Sequence, residues 1–179
     1  GSNPAQPIRL HPLAACGGSS VNNGDGTFTV TSTVAIPASA KGSVGIGIEG
    51  HPAVDADGDG VIDRIAVTNV HTFAPITDPS AVARRSVVVT SKCDDCHQQL
   101  SLHGSNRTDN PQVCVMCHNP GATDVARRVA GSACEASLGL DDESIDFKYM
   151  IHAIHSGNTG ICGFGNSANP FFGVKYPGK

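Results

Sequence analysis

Two five-residue segments hold the strongest chemistry in the sequence: Cys93-Asp94-Asp95-Cys96-His97 and Cys114-Val115-Met116-Cys117-His118. Each places two thiols three positions apart and an imidazole directly after the second. That spacing lets the thiols add to two vinyl groups on one edge of a haem while the adjacent imidazole reaches the iron. Composition alone makes one such match by chance on the order of 0.01, and two far rarer. The same four cysteines also read as two C-x-x-C pairs at the separation of a zinc ribbon. A ribbon needs no histidine after each pair, and the glycine that usually closes a zinc knuckle is missing. Covalent haem is therefore the expectation, with two c-type haems held by Cys93/Cys96 and Cys114/Cys117 and with His97 and His118 as proximal ligands. A thioredoxin-like dithiol fits less well, because no βαβ pattern surrounds either motif.

An iron held by one histidine has a second axial position to fill. Three histidines in the same region can fill it: His103 in Leu100-Ser101-Leu102-His103-Gly104, and His152 and His155 in Met150-Ile151-His152-Ala153-Ile154-His155. On a helix the last two project about 60° apart, one turn's height from each other. Phe147, Met150, Ile151 and Ile154 form an apolar stripe beside them that can pack on porphyrin. Three candidates for two irons leave one spare. His103 follows His97 by six residues, a span of roughly 20 Å when fully extended and less when helical. That is short for a chain that must pass round the porphyrin rim. His103 is expected on the second haem or on a haem further along, and His152 or His155 on the first. His11, His51 and His71 read as ordinary surface or core histidines.

The run Asp55-Ala56-Asp57-Gly58-Asp59-Gly60-Val61-Ile62-Asp63 has the alternating carboxylates of a calcium loop, with Asp55, Asp57, Asp59 and Asp63 as candidate ligands. Ala66 stands where an EF-hand has its bidentate Glu, and an acidic, solvated hairpin loop accounts for the run equally well.

The elements that must position these groups fall into two styles. From Asn22 to about Val89 the chain reads as β. Asn23-Gly24-Asp25-Gly26 is turn chemistry, and Phe28, Val30, Val34 and Ile36 then alternate with threonines. Val44, Ile46 and Ile48 alternate with bare glycines; Ile65 and Val67 mark another strand, and Val87-Val88-Val89 a short buried one. After Thr90 the chain turns rich in Cys, His, Asn and Gly. A helix is expected over Ile145 to His155, capped by Ser144 and ended by Gly157, with shorter helical turns at Gln98–His103 and Asp124–Ala130. The fold class expected is β plus irregular/α, an N-terminal β-sandwich or split Greek-key barrel followed by a haem-organised module with few short helices. The divisions are 1–20, an extended, tag-like N-terminal segment; 21–90, the β domain; and 91–179, the dihaem domain.

Composition agrees. The 179 residues carry a net charge of −4, which excludes a basic surface for nucleic acid or anionic lipid. No stretch is long and apolar enough to span a bilayer. With Trp absent, Tyr 2 and Phe 6, the core is short of flat apolar mass that a prosthetic group could supply. Seven cysteines leave three outside the motifs, Cys16, Cys134 and Cys162. Leu13-Ala14-Ala15-Cys16-Gly17 has lipoprotein-site spacing, but the apolar run such a site needs does not precede it.

In combination, Cys-x-x-Cys-His followed by Leu-x-x-His-Gly, Asn106-Arg107-Thr108, Cys117-His118-Asn119-Pro120 and Asp146-Phe147-Lys148-Tyr149-Met150-Ile151-His152-Ala153-Ile154-His155 resembles the OmcA/MtrC family of multihaem outer-membrane cytochromes. The resemblance covers Arg84 to Gly157 closely and the β segment more loosely. It implies an extracellular, outer-membrane or periplasmic electron carrier whose partners are redox proteins, further haem domains, and extracellular metals or flavins. Holding only two haem motifs, the chain reads as a piece or a shortened relative. A haem enzyme with an open axial position, like a peroxidase or a nitrite reductase, and a zinc-stabilised binding module are the alternatives. In an oxidising compartment a Cys134–Cys162 disulfide is expected, bracketing the helix of His152 and His155.

Overall fold

The computed structural model describes residues 7–8, 19–125 and 144–156. Among these, contacts separate two compact units. One takes in the residues up to Ile46 together with Thr72–Arg84; the other takes in Gly47–His71 and the residues from Arg85 onward.

In the first unit, turn chemistry sets the leading pair of strands. β1 (Ser19–Asn22) runs antiparallel to β2 (Phe28–Thr31), with Asn22 opposite Phe28. Gly24 and Gly26 occupy positive φ in the turn between them, a conformation that costs a Cβ-bearing residue more. Asp25 braces the turn by accepting from the Thr27 hydroxyl (2.6 Å) and amide (2.9 Å), which hold its carboxyl below the ordinary carboxylate range. Further along, the Gly42 carbonyl accepts from Ile76 and Thr77, and Ser43 donates to Asp78.

β3 (Ser43–Ile48) pairs with β6 (Val70–Pro75). In the second unit β4 (Ala53–Val54) and β5 (Asp63–Arg64) form a hairpin, followed by α1 (Thr90–His97), a hairpin of β7 (Ser101–Leu102) and β8 (Arg107–Thr108), α2 (Pro111–Cys117) and α3 (Phe147–His155).

The class is β plus irregular with short helices. The strands form two-stranded ladders and close into no barrel among the described residues. The alternation at Phe28 and Val30 is present as a strand, yet both side chains are exposed. Val87-Val88-Val89 is not a buried strand: Val87 and Val89 are exposed, and the segment is the extended lead into α1, for which Val89 is the N-cap. The strand expected at Ile65 and Val67 stops at Arg64, because the backbone beyond turns to bond Thr108 through Asn69. No helical turn forms at Gln98–His103, where Gln98 and His103 take positive φ and Ser101–Leu102 pairs as β7. Most of Asp124–Ala130, with Gly157, His11, Cys16, Cys134 and Cys162, lies outside the described residues. Among the described residues the buried apolar ones are few: Val113, Ala122 and Ala153. No helix among the described residues is long and apolar enough to cross a membrane.

Candidate functional site

Both Cys-x-x-Cys pairs lie on helices. Cys93 and Cys96 are on α1, Cys114 and Cys117 on α2. Residues at i and i+3 share a helical face, so each helix turns its two thiols to one side and leaves the following histidine at its end. α1 stops after His97 because Gln98 adopts a left-handed φ of 61° and returns its amide to the Asp94 carbonyl. Asp94, between the two cysteines, also accepts from the Leu100 amide (3.2 Å), which draws the β7–β8 hairpin to the helix end. Neither motif helix was visible in hydrophobic periodicity. For α2 the dipeptide Asn110-Pro111, a cap residue before a proline at the first helical position, was a usable signal.

Burial pushes the Cys114 thiol above its ordinary value, with the Arg107 guanidinium partly offsetting it and the Cys117 and Cys93 sulfurs adding to the rise. Arg107 is itself paired with Glu49. The thiols do not gather around one point as a zinc ribbon requires; among the described residues the one convergent donor cluster is Asp55, Asp57 and Asp63. Asp59, the fourth candidate of that loop, is not part of the cluster. Asp55, Asp57, Asp59 and Asp63 each accept backbone amides of the loop, from Gly58 and Gly60, Asp59, Val61, and Ala56 respectively.

The histidines sort into pairs. His97 and His155 have ring centroids 6.1 Å apart with planes at 90°, and His103 and His118 have centroids 6.2 Å apart with planes at 36°. Two imidazoles that share one metal ion, each with its nitrogen about 2 Å from it, have centroids roughly 6 Å apart. Hydrogen bonding at Nδ1 fits the same arrangement. His118 Nδ1 lies 2.9 Å from the Ile145 carbonyl and His155 Nδ1 lies 2.8 Å from the Ile151 carbonyl. A carbonyl only accepts, so Nδ1 carries the proton and Nε2 keeps its lone pair for a metal. His152 belongs to neither pair. The donor set of each pair with its two thiols thus suits a c-type haem. His51 Nδ1 lies against the Pro52 carbonyl, and His71 Nδ1 against Asn110.

The third helix is tied to the second motif. Asp146 caps α3 by accepting from Lys148 and Tyr149, while the Ser144 hydroxyl, the expected cap, accepts from Asp146 instead. The Phe147 amide donates to the His118 carbonyl (3.0 Å) and the Ile145 amide to the Ala122 carbonyl (2.9 Å). The start of α3 is thereby fixed at one motif histidine and its end delivers His155 to the other. Gly47 of β3 takes the other side of α2: a Cβ there would lie 3.1 Å from Val113 and 3.2 Å from the Met116 sulfur, so the bare face of this strand admits the helix.

Residues 85–175, just over half of the chain, match the family model described as outer membrane cytochrome MtrC/MtrF-like, domains II/IV. A multiheme cytochrome MtrC from Shewanella baltica (strain OS185) is 24% identical over 147 residues, which are 79% of this chain and 20% of that protein. The chain therefore spans about a fifth of the relative's length. No solved structure matches. The matched region contains both Cys-x-x-Cys-His helices, the His103 loop and the α3 histidines, and the chain belongs to the MtrC/MtrF-like outer-membrane cytochromes.

Proposed function

We propose that the chain binds two c-type haems, each with two axial histidines, and conducts electrons between them. Cys93 and Cys96 hold the first haem, with His97 and His155 as its axial pair. Cys114 and Cys117 hold the second, with His118 and His103. The observation that carries this reading is the separation of the two histidine pairs, 6.1 and 6.2 Å. When bound, each haem supplies an iron that gains and loses one electron. The protein's part is to hold both axial positions closed, which favours electron transfer over binding of oxygen or peroxide, and to set the potential through ligand hydrogen bonds and nearby charge such as Arg107. The Nδ1 bonds of His118 and His155 to carbonyls keep those imidazoles oriented and electron-rich.

The short link of 17 residues between Cys96 and Cys114 keeps the two haems close enough for direct transfer. His152, exposed on α3, would serve a haem supplied by further sequence or another molecule. Location at the outer face of the outer membrane, with redox proteins, further haem domains, metals or flavins as exchange partners, follows the family. The test is mass spectrometry of the purified, denatured holoprotein. Two covalent haems are expected, falling to one in a Cys93→Ser/Cys96→Ser variant; a colourless, zinc-bearing chain would sink the reading.

A further inference from the structure

Asn69 lies outside both haem motifs, in the turn region before β6, yet it is 6 % exposed and bonds through every polar atom it has. Its amide donates to the Thr108 carbonyl (2.9 Å) and its Oδ1 accepts from the Thr108 amide (2.6 Å). Its Nδ2 donates to the Asn106 carbonyl (3.1 Å), and its own carbonyl accepts from Asn110 Nδ2 (2.7 Å). Thr108 and Asn110 are buried with it, at 1 % and 9 % exposed. The side-chain orientation is fixed, since turning the amide over would set Nδ2 against an N–H and Oδ1 against a carbonyl.

These bonds run to the two elements that carry the ligands of the second haem. On one side, Asn106 receives Asn69 at its carbonyl and passes a bond from its own Nδ2 to the His103 carbonyl (3.0 Å). The loop there has positive φ at His103, Gly104 and Ser105 in succession, a strained path that persists only where neighbours enforce it. On the other side, Asn110 is the N-cap of α2, the helix of Cys114, Cys117 and, at its end, His118. Its side chain makes no capping bond to that helix. It goes instead to Asn69 and to His71 Nδ1 (2.9 Å). The bond that would cap the helix is given up for one that ties the helix start to Asn69.

We propose that Asn69 is a positioning residue for the axial pair of the second haem, holding the His103 loop and the α2 cap at the separation that closes both sides of the iron. This rests on the bis-histidine reading above. Asparagine is required because the site needs one donor and one acceptor at opposite corners of a single planar group.

The test is carbon monoxide binding to the reduced holoprotein, read beside the low-spin fraction of the oxidised form. The wild type should bind none, because both irons are closed. Asn69→Ala, which removes two buried side-chain hydrogen bonds, should raise the fraction of open second haem at least about tenfold, the scale of losing even one. Its adduct spectrum should coincide with that of His103→Ala and differ from that of His155→Ala. Should Asn69→Ala yield no folded holoprotein, Asn106→Ala, which severs only the link to the His103 carbonyl, should give the same adduct. Adduct formation by the wild type would overturn the bis-histidine reading itself. A closed second haem in the folded variant, or opening of both haems alike, would overturn the role of Asn69 while leaving that reading intact.

Discussion

At the scale of single residues, the site depends on which nitrogen of each histidine is committed elsewhere. The Nδ1–H of His155 donates to the Ile151 carbonyl one turn back, which leaves Nε2 uncommitted in a ring whose centroid is 6.1 Å from that of His97. His152, three positions earlier, projects along a different line and lies in neither of the two ring pairs. Replacing His155 by Ala is therefore expected to convert one of the two haems to high spin, and His103→Ala to convert the other. His152→Ala should leave both low spin. Visible and near-infrared spectra of the three holoproteins check this, and a high-spin haem in His152→Ala would overturn the assignment. The arithmetic of three candidates for two irons was legible from spacing, and the expectation that His103 serves a haem other than the first rests on the same spacing. Which of His152 and His155 comes near His97 was not legible, because it depends on the direction α3 takes after its start, which composition does not encode.

At the scale of elements, short helices and hairpins fix one another through side chains that bond backbone. α3 depends on Asp146, whose Oδ1 takes the amides of Lys148 and Tyr149 at 3.1 and 3.3 Å. Asp146→Ala should cost about 1 kcal/mol and lower the melting temperature by about 2–4 °C in a chain of this size, with Asp146→Asn recovering most of it in calorimetry. The α3 helix itself was legible in the apolar stripe of Phe147, Met150, Ile151 and Ile154, although its cap lies two residues later than Ser144. α1 and α2 were not. Cys-Asp-Asp-Cys-His has no amphipathic period, and its helix is set by Val89, Asp94 and the left-handed Gln98. Val87-Val88-Val89 misled for the opposite reason. β-branched residues favour extended backbone, which they adopt, but extension is not burial and no strand among the described residues pairs with them. Asn69 had no sequence signal at all, since its role exists only once β8 and α2 lie on either side of it.

At the scale of the molecule, the described residues bury little apolar surface among themselves. Phe28, Val30, Ile46 and Ile48 are exposed, and the buried apolar side chains are small. The shortage of aromatic mass in the composition is thus carried into the fold, and haem packed beside α3 would supply apolar contact that the chain lacks. The family match, over residues 85–175, takes in α3. The central claim is that two irons are each closed by a histidine pair of defined ring geometry, and electron paramagnetic resonance of the oxidised holoprotein tests it most directly. Perpendicular imidazole planes leave the two iron orbitals that they perturb nearly equal in energy, whereas planes 36° apart split them. The His97/His155 haem should therefore give a highly anisotropic low-spin signal and the His103/His118 haem a rhombic low-spin signal, in equal amounts that account for all the iron. A high-spin ferric signal of comparable intensity, or iron for only one haem per chain, would contradict the account.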